Sequence, residues 1–184
     1  MKKNQILSIG FFAVANLSAF CVQADDTTSA NINVTATVSS SCTIGVENID
    51  FNKYDPSSPT PTSATGGAII LTCVKGSAPV VSINNGKNYN GTRQAVRTTT
   101  VAGVTENEYL AYELYQPPSV QPETACPGNA TGATKWGIEP ANVFTTAAAT
   151  TNLGRRYNIC GLMNAGQNVG PGTYNDQVSV TASF

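Results

Sequence analysis

Residues 30–42 read ANINVTATVSSSC, and apolar and polar side chains alternate along them as far as the serines. The apolar positions all share one parity: Ile32, Val34, Ala36 and Val38. A period of two is typical of a β-strand that buries one face, because successive side chains point to opposite sides of a strand. The stretch therefore predicts a strand near the N-terminus, and it raises the question of which sheet that strand covers.

The residues before this stretch have the organisation of a secretory signal peptide. Lys2 and Lys3 form a positive region, an apolar run follows, and small residues close it at Val22–Ala24. A transmembrane anchor is the alternative, but the run is short for a bilayer and is interrupted by polar residues. We therefore expect residues 1–24 to be removed and the mature chain to begin at Asp25.

The mature chain of 160 residues is long enough for one domain with a core of its own. After Lys2 and Lys3 are removed, eight basic residues remain against eleven acidic ones, so the net charge is about -3. A protein without a basic surplus does not attract nucleic acid or anionic lipid. We expect neither as a partner.

Few residues have the types and the spacing that catalysis or ligand binding requires. The chain contains no histidine, which excludes a serine or cysteine nucleophile paired with imidazole. Glu106 and Glu108 would share one face of a strand, but their context, TENEY, is turn-like, and we interpret them as solvated. Arg155 and Arg156 are likewise interpreted as a solvated pair, and Trp136 as a core anchor rather than a sugar-stacking platform. We expect no enzyme, no cofactor, no metal and no small-molecule substrate.

The cysteines indicate disulfides. Four remain once Cys21 leaves with the signal, and an even number in an exported chain argues for two bonds. Four cysteines allow three pairings. We favour Cys42 with Cys73 and Cys126 with Cys160, because both pairs are sequential and close loops of similar length. A zinc site is not favoured, since there is neither a C-x-x-C spacing nor a histidine.

Strand signals continue along the mature chain, whose composition is dominated by Thr, Ser, Ala, Asn, Gly and Val. The stretches that predict strands are AIILTCVKG (68–76), APVVSINNG (78–86), EYLAYELYQ (108–116), RRYNICGLM (155–163) and GTYNDQVSVTASF (172–184). An Asn- and Gly-rich turn is predicted between Asn84 and Gly91. Several short strands separated by turns predict an all-β sandwich. Its last strand alternates up to Phe184, so the chain ends within a strand.

Five motifs of the mature chain together resemble a known family. They are SCTIG (41–45), IILTC (69–73), YLAYELY (109–115), KWG (135–137) and the closing NAGQNVGPGTYNDQVSVTASF (164–184). In this order they resemble the spore coat protein U domain, a family that includes subunits of archaic chaperone-usher (Csu-type) pili. The resemblance spans nearly all of the mature chain. Cys126 and Cys160 are not part of its pattern, so their pairing is inferred only from the number and order of the cysteines.

The resemblance implies an incomplete immunoglobulin-like β-sandwich that lacks its last strand and is completed by a donor strand from another subunit. In the periplasm a chaperone would lend a strand, and at the outer-membrane usher the N-terminal strand of another pilus subunit would replace it. The implied function is a structural subunit of a secreted pilus that supports adhesion and biofilm formation at the cell surface. The alternative is a secreted spore-coat or matrix protein whose N-terminal strand folds back on its own sheet.

The alternating residues can be assigned to the two sides of such a contact. We place the donor strand and its hinge at residues 25–41, with Asn31–Val38 as the donated strand, and the domain at 42–184. The division between the donated strand and the domain falls within Ser39–Ser41. The domain's own first strand then begins with Cys42–Val46. The donated side chains are expected to be Ile32, Val34, Ala36 and Val38. The receiving side is expected to include alternate residues of the last strand: Val178, Val180, Ala182 and Phe184.

Overall fold

The computed structural model describes residues 27–184, so the signal peptide predicted at 1–24 lies outside the described residues. The chain divides into two units, residues 1–37 and 38–184, and the second contains every strand of the described part. The strands are β1 Cys42–Asp50, β2 Thr62–Ser63, β3 Thr65–Cys73, β4 Val80–Ile83, β5 Arg93–Val101, β6 Val104–Tyr115, β7 Phe144–Thr145, β8 Arg155–Asn158, β9 Cys160–Met163 and β10 Val180–Ser183. Residues 27–184 contain no helix that could cross a bilayer.

The strands pair antiparallel and form three sheets. Their orders are β1-β3-β8, β10-β4-β7 and β2-β9-β6-β5. The all-β class predicted from the sequence is confirmed. Strand β6 illustrates why, because its alternation places Leu110, Tyr112 and Leu114 in the core while Tyr109 on the opposite face is exposed.

One hydrophobic cluster unites side chains from all three sheets. Trp136 is fully buried within it, and its indole N–H donates to the carbonyl of Val81 at 3.0 Å. The Phe144 ring lies 5.1 Å from Trp136 and 5.6 Å from Tyr157, measured between ring centroids. Trp136 is therefore a core anchor, as predicted, and no face of its ring is open for stacking on a sugar.

Two predicted strands have different limits in the structure. The run RRYNICGLM forms two strands in different sheets, since β8 pairs with β3 whereas β9 pairs with β2 and β6. Both halves are largely buried, and periodicity does not reveal a change of sheet within a buried run. The final strand covers only Val180–Ser183. The residues before it are held by individual hydrogen bonds that involve side chains, and they do not continue the β-ladder.

The hairpin of β5 and β6 was missed in part. Its first strand is RQAVRTTTV, a Thr-rich stretch without the apolar alternation of a half-buried strand. TENEY, interpreted as turn-like, lies inside β6, where Arg97 of β5 is directly opposite Glu108. The turn is instead at Ala102 and Gly103, which both have positive φ (51° and 83°). Cross-strand pairing stabilises this polar hairpin, and a single-strand pattern does not contain that information.

Arg155 and Arg156 are not a solvated pair. Successive residues of β8 point to opposite faces, so Arg155 turns inward and is buried, with its guanidinium donating to the Ala147 carbonyl. Arg156 points outward and forms an ion pair with Glu47 of β1 at 2.7 Å. The prediction erred because burial follows from the face on which a residue lies and not from its charge alone.

Both disulfides have the favoured connectivity. Cys42 is joined to Cys73 with a Cα–Cα distance of 4.1 Å, and Cys126 to Cys160 with 5.4 Å. The first bond ties the beginning of β1 to the end of β3, where the two cysteines are register partners. The second ties the irregular region before Trp136 to the beginning of β9.

We predict that the two disulfides contribute similarly to global stability but differ in local effect. The loops span 31 and 34 residues, so replacing either pair with serine is expected to lower the free energy of unfolding by about 3–4 kcal/mol in the chain-entropy model. Only the Cys42→Ser/Cys73→Ser variant should also lose amide protection in β1. Urea unfolding and hydrogen exchange check the two statements, and equal β1 protection in both variants would contradict the second.

Candidate functional site

Among residues 27–184, the first and the last strand each have a free edge. In this described part of the chain, β1 pairs only with β3, and β10 pairs only with β4. Between β1 and the segment that leads into β10 lies a cavity of about 500 Å³, bordered by Val46–Ile49 on one side and Tyr174–Val180 on the other. Its floor consists of core side chains: Ala95, Tyr112, Leu114, Ile159 and Met163.

A second cavity of about 660 Å³ adjoins the first. The two share five lining residues: Ile49, Phe51, Met163, Tyr174 and Asn175. We call the two together the open groove. It runs along β1 beyond its end to Tyr54, opposite the wall formed by residues 169–180.

Two side chains of β1, of which Val46 lines the open groove, show that the core is uncovered on this side of the sheet. Val46 is the register partner of Ile69, and Ile44 is that of Leu71. Directly opposed residues of an antiparallel pair point to the same face, and both β3 partners are fully buried. Nevertheless Ile44 is 42% and Val46 60% exposed. Side chains on the core face of a sheet are exposed to this extent only where the layer that should cover them is incomplete.

Hydrogen bonds hold the segment that forms the opposite wall. Asp176 accepts from the Tyr112 hydroxyl at 2.7 Å and from the Lys87 amide at 3.0 Å. Burial, followed by the hydrogen bond to Asp176, raises the pKa of Tyr112, so this hydroxyl remains a donor throughout the physiological range. Gly86 has a φ of 84°, and a Cβ on it would lie 2.1 Å from a carboxylate oxygen of Asp176. The close approach requires glycine at that position.

A second anchor lies at the other end of this wall. The Glu108 carboxylate accepts hydrogen bonds from the Tyr174 hydroxyl at 2.7 Å, from the Gly170 amide at 3.1 Å and from Arg97. Arg97 also donates to the Pro171 carbonyl at 2.8 Å. The segment 170–174 is thereby fixed on the β5–β6 hairpin, which keeps the wall apart from β1 and the groove open.

The fold agrees with comparisons to known proteins. A model of the Spore Coat Protein U domain matches residues 28–181. The chain belongs to the Spore Coat Protein U domain family. Protein U of Myxococcus xanthus is 30% identical over 185 residues, covering 94% of this chain and 93% of that protein.

A solved structure has a similar fold. It is a chain from the crystal structure of the CsuC-CsuE chaperone-tip adhesion subunit pre-assembly complex, from archaic chaperone-usher Csu pili of Acinetobacter baumannii. The sequence identity is 21% and the TM-score 0.51, and the match covers 80% of this chain. It spans 41% of the chain in that complex. At this level of identity the likeness establishes a common fold.

The residues predicted to receive a donor strand lie in different surroundings within this Spore Coat Protein U domain. Val178 and Val180 line the open groove and are partly buried against the core. Ala182 also packs against the core from β10. Phe184, the last residue, is 60% exposed. Their role as receiving residues stays a prediction.

The donor residues are predicted on residues 25–41, which we call the N-terminal arm. In the described part of the arm, Ile32 is 88%, Val34 90% and Val38 78% exposed, and Ala36 is exposed as well. None of them belongs to a strand. Strand β1 starts at Cys42, where the domain's own first strand was predicted to begin.

Several groove residues were missed by the sequence analysis. They include the floor residues and Asp176, and the role of Glu108 as an anchor of the groove wall was not predicted either. One signal was present, because the alternating parity continues from the arm into Ile44 and Val46. No such signal exists for Glu108, because its partners in the wall, Gly170 and Tyr174, lie more than 60 positions away in sequence. Residues 27–184 contain no cluster of three potential metal ligands.

We predict that the Glu108 anchor weakens in acid. Hydrogen bonds from Tyr174 and then from Arg97 lower the pKa of Glu108 below its ordinary 4.5. A carboxyl with a lowered folded-state pKa stabilises the protein above its unfolded pKa, and that contribution is lost as the pH falls through the folded value. Wild type should therefore lose stability more steeply than Glu108→Gln between about pH 6 and about pH 3.

Urea unfolding across this pH range measures the difference. Glu106→Gln is the matched control, because Glu106 is exposed on the same face of the same strand. Its pH profile should follow that of wild type. Parallel profiles for wild type and Glu108→Gln would show that Glu108 does not anchor the wall.

Proposed function

We propose that this protein is a structural subunit of a secreted chaperone-usher pilus and that it polymerises by donor-strand exchange. The N-terminal arm of one copy enters the open groove of the next and completes its sandwich. The observation that carries the proposal is the exposure of Ile44 and Val46 on the core face of β1. An uncovered core beside a free strand edge requires an added strand, and β-augmentation supplies one.

The arm has the length and the pattern that the open groove needs. Its alternating run from Ile32 to Val38 covers seven residues, or about 23 Å at 3.3 Å per residue. The groove follows β1 from Val46 to Asp50 and continues to Tyr54. Burial of Ile32, Val34 and Val38 at about 1.5–3 kcal/mol each would contribute roughly 5–9 kcal/mol as an upper value, before the backbone ladder is counted. Such a contribution suits a durable fibre.

A periplasmic chaperone and an outer-membrane usher are the partners that this mode of assembly requires. The solved structure with a similar fold is a chaperone–subunit complex from a chaperone-usher pilus, and this supports a chaperone partner here. A subunit with an uncovered core is prone to non-specific association, which a lent strand prevents. The fibre leaves through the usher to the cell surface, where it supports adhesion and biofilm formation. The role is structural and not enzymatic.

Protein U of Myxococcus xanthus supports a second candidate function. It matches this chain over 93% of its own length, so the two proteins share one domain plan. In that candidate the protein is a secreted coat or matrix component in which the arm closes the groove of its own copy. The two functions predict different assembly states, because a protein whose own arm closes its groove stays monomeric and is stable without a chaperone.

Deletion of residues 25–38 tests the proposed function. The shortened protein should still bind a chaperone through its open groove, but it should form no fibres by itself. Together with wild-type subunits it should be incorporated only at the end of a fibre, because it can receive an arm but cannot donate one. Electron microscopy of surface fibres and co-purification with the chaperone measure both outcomes. Normal fibres from the deletion variant would contradict donor-strand exchange. A wild-type protein that purifies as a stable monomer without chaperone would favour the coat or matrix function.

A further inference from the structure

The end of the N-terminal arm is already attached to its own domain. The hydroxyls of Ser40 and Ser77 are hydrogen-bonded at 2.7 Å, and the Val74 amide donates to the Ser41 carbonyl at 2.9 Å. The Cys42–Cys73 disulfide follows at once. The predicted division within Ser39–Ser41 can therefore be placed more narrowly, since Ser40 and Ser41 belong to the domain.

On the other side of the division, Val38 is the last apolar residue of the alternating run and is 78% exposed. In the proposed assembly Val38 is buried in the neighbouring copy. Only Ser39 then lies between a residue held by one subunit and a residue held by the next. Because consecutive Cα atoms are 3.8 Å apart, the Cα atoms of Val38 and Ser40 are separated by at most about 7 Å.

We propose that successive copies of this protein touch at a joint in which a single residue, Ser39, is held by neither subunit. The inference rests on the proposed function and adds an interaction surface to it. A gap of about 7 Å between two anchored Cα atoms leaves no room for solvent between the domains beside the joint. The surface that meets the neighbouring copy is the turn Val74–Ser77, which holds Ser40 and presents Lys75 and Gly76 to solvent in the single subunit.

This joint restricts the angle between subunits. A long Gly- and Ser-rich linker behaves as a flexible coil, whereas one residue between two fixed ends has almost no conformational freedom. Ser77 is buried, and the Gly76 and Ser77 backbone is tied to Ala149 by hydrogen bonds of 2.8 and 2.9 Å, so the surface at the joint is itself rigid. The fibre should consequently be stiff at every subunit boundary.

Insertion of Gly-Ser-Gly-Ser between Ser39 and Ser40 tests the joint in assembled fibres of the full-length protein. The arm and the groove are unchanged, so fibres should form, but their persistence length in electron micrographs should fall several-fold. The same insertion between Ala102 and Gly103, in the exposed turn of the β5–β6 hairpin, is the control and should leave the persistence length unchanged.

Acylation of Lys75 supplies a second measurement. Its reactivity should be several-fold lower in wild-type fibres than in unassembled subunits, and should return to the unassembled level in fibres with the insertion at Ser39. Equal stiffness of wild-type and insertion fibres, or equal Lys75 reactivity before and after assembly, would overturn the proposal of a one-residue joint. A wild-type protein that forms no fibres would overturn the proposed function, and the joint with it.

Discussion

Replacement of Val46 with arginine is expected to abolish association with the arm of another copy and to leave the isolated domain folded. Val46 is 60% exposed in the single subunit, so a longer side chain reaches solvent there and should change the free energy of unfolding by no more than about 0.5 kcal/mol. Once a donor strand covers the open groove, the guanidinium is buried without a partner. An uncompensated buried charge costs about 3–5 kcal/mol, which corresponds to a loss of affinity of at least about a hundredfold.

Binding of a peptide with the sequence of residues 27–41 to the purified subunit measures this effect, and fibre yield provides a second readout. Val104→Arg is a closely matched control, because Val104 is also a strand valine with 60% exposure and lies away from the open groove. It should bind the peptide like wild type. Equal affinities for Val46→Arg and Val104→Arg would show that the core face of β1 is not the docking surface.

The second large effect is expected in the arm. The double variant Ile32→Asn/Val34→Asn removes two apolar side chains that the proposal places in the neighbouring core. The loss is about 1.5–3 kcal/mol for each residue, so affinity for the open groove should fall by at least about a hundredfold. The stability of the variant's own domain should not change, because both residues are almost completely exposed in the single subunit.

Strand periodicity supplies the control for this experiment. Asn33→Ser and Thr35→Ser lie on the opposite face of the same stretch, so together they should preserve binding within about threefold. Peptides with either pair of substitutions can be compared by titration against one preparation of the wild-type domain. If both pairs weakened binding equally, the arm would not dock as a strand with one buried face.

Much of the fold could be predicted from local patterns. Alternation identified β6 with its buried Leu110, Tyr112 and Leu114, and apolar runs identified β3 and β4. The cysteine count and order led to the pairing that the structure has. These features are local, or follow from composition, and they need no knowledge of which strands become neighbours.

The remaining features depend on contacts between distant parts of the chain. Strand β5 is polar and owes its place to the cross-strand partners in β6, among them Glu108 opposite Arg97. Arg155 is buried because it shares an inward face with Tyr157 in β8. The change of sheet between β8 and β9 leaves no mark in the periodicity of a run that is largely buried.

Local sequence patterns are sufficient to show that ANINVTATVSSSC has one apolar face and that this face continues into β1. These patterns also establish the all-β class, because strand periodicity is a property of successive residues. The exposure of Ile44 and Val46 beside a free edge, and the hydrogen bond between Ser40 and Ser77, depend on how distant strands and loops pack in the folded domain. Exposure is the absence of a neighbour, and whether a neighbour is present is settled by which strands pair after folding.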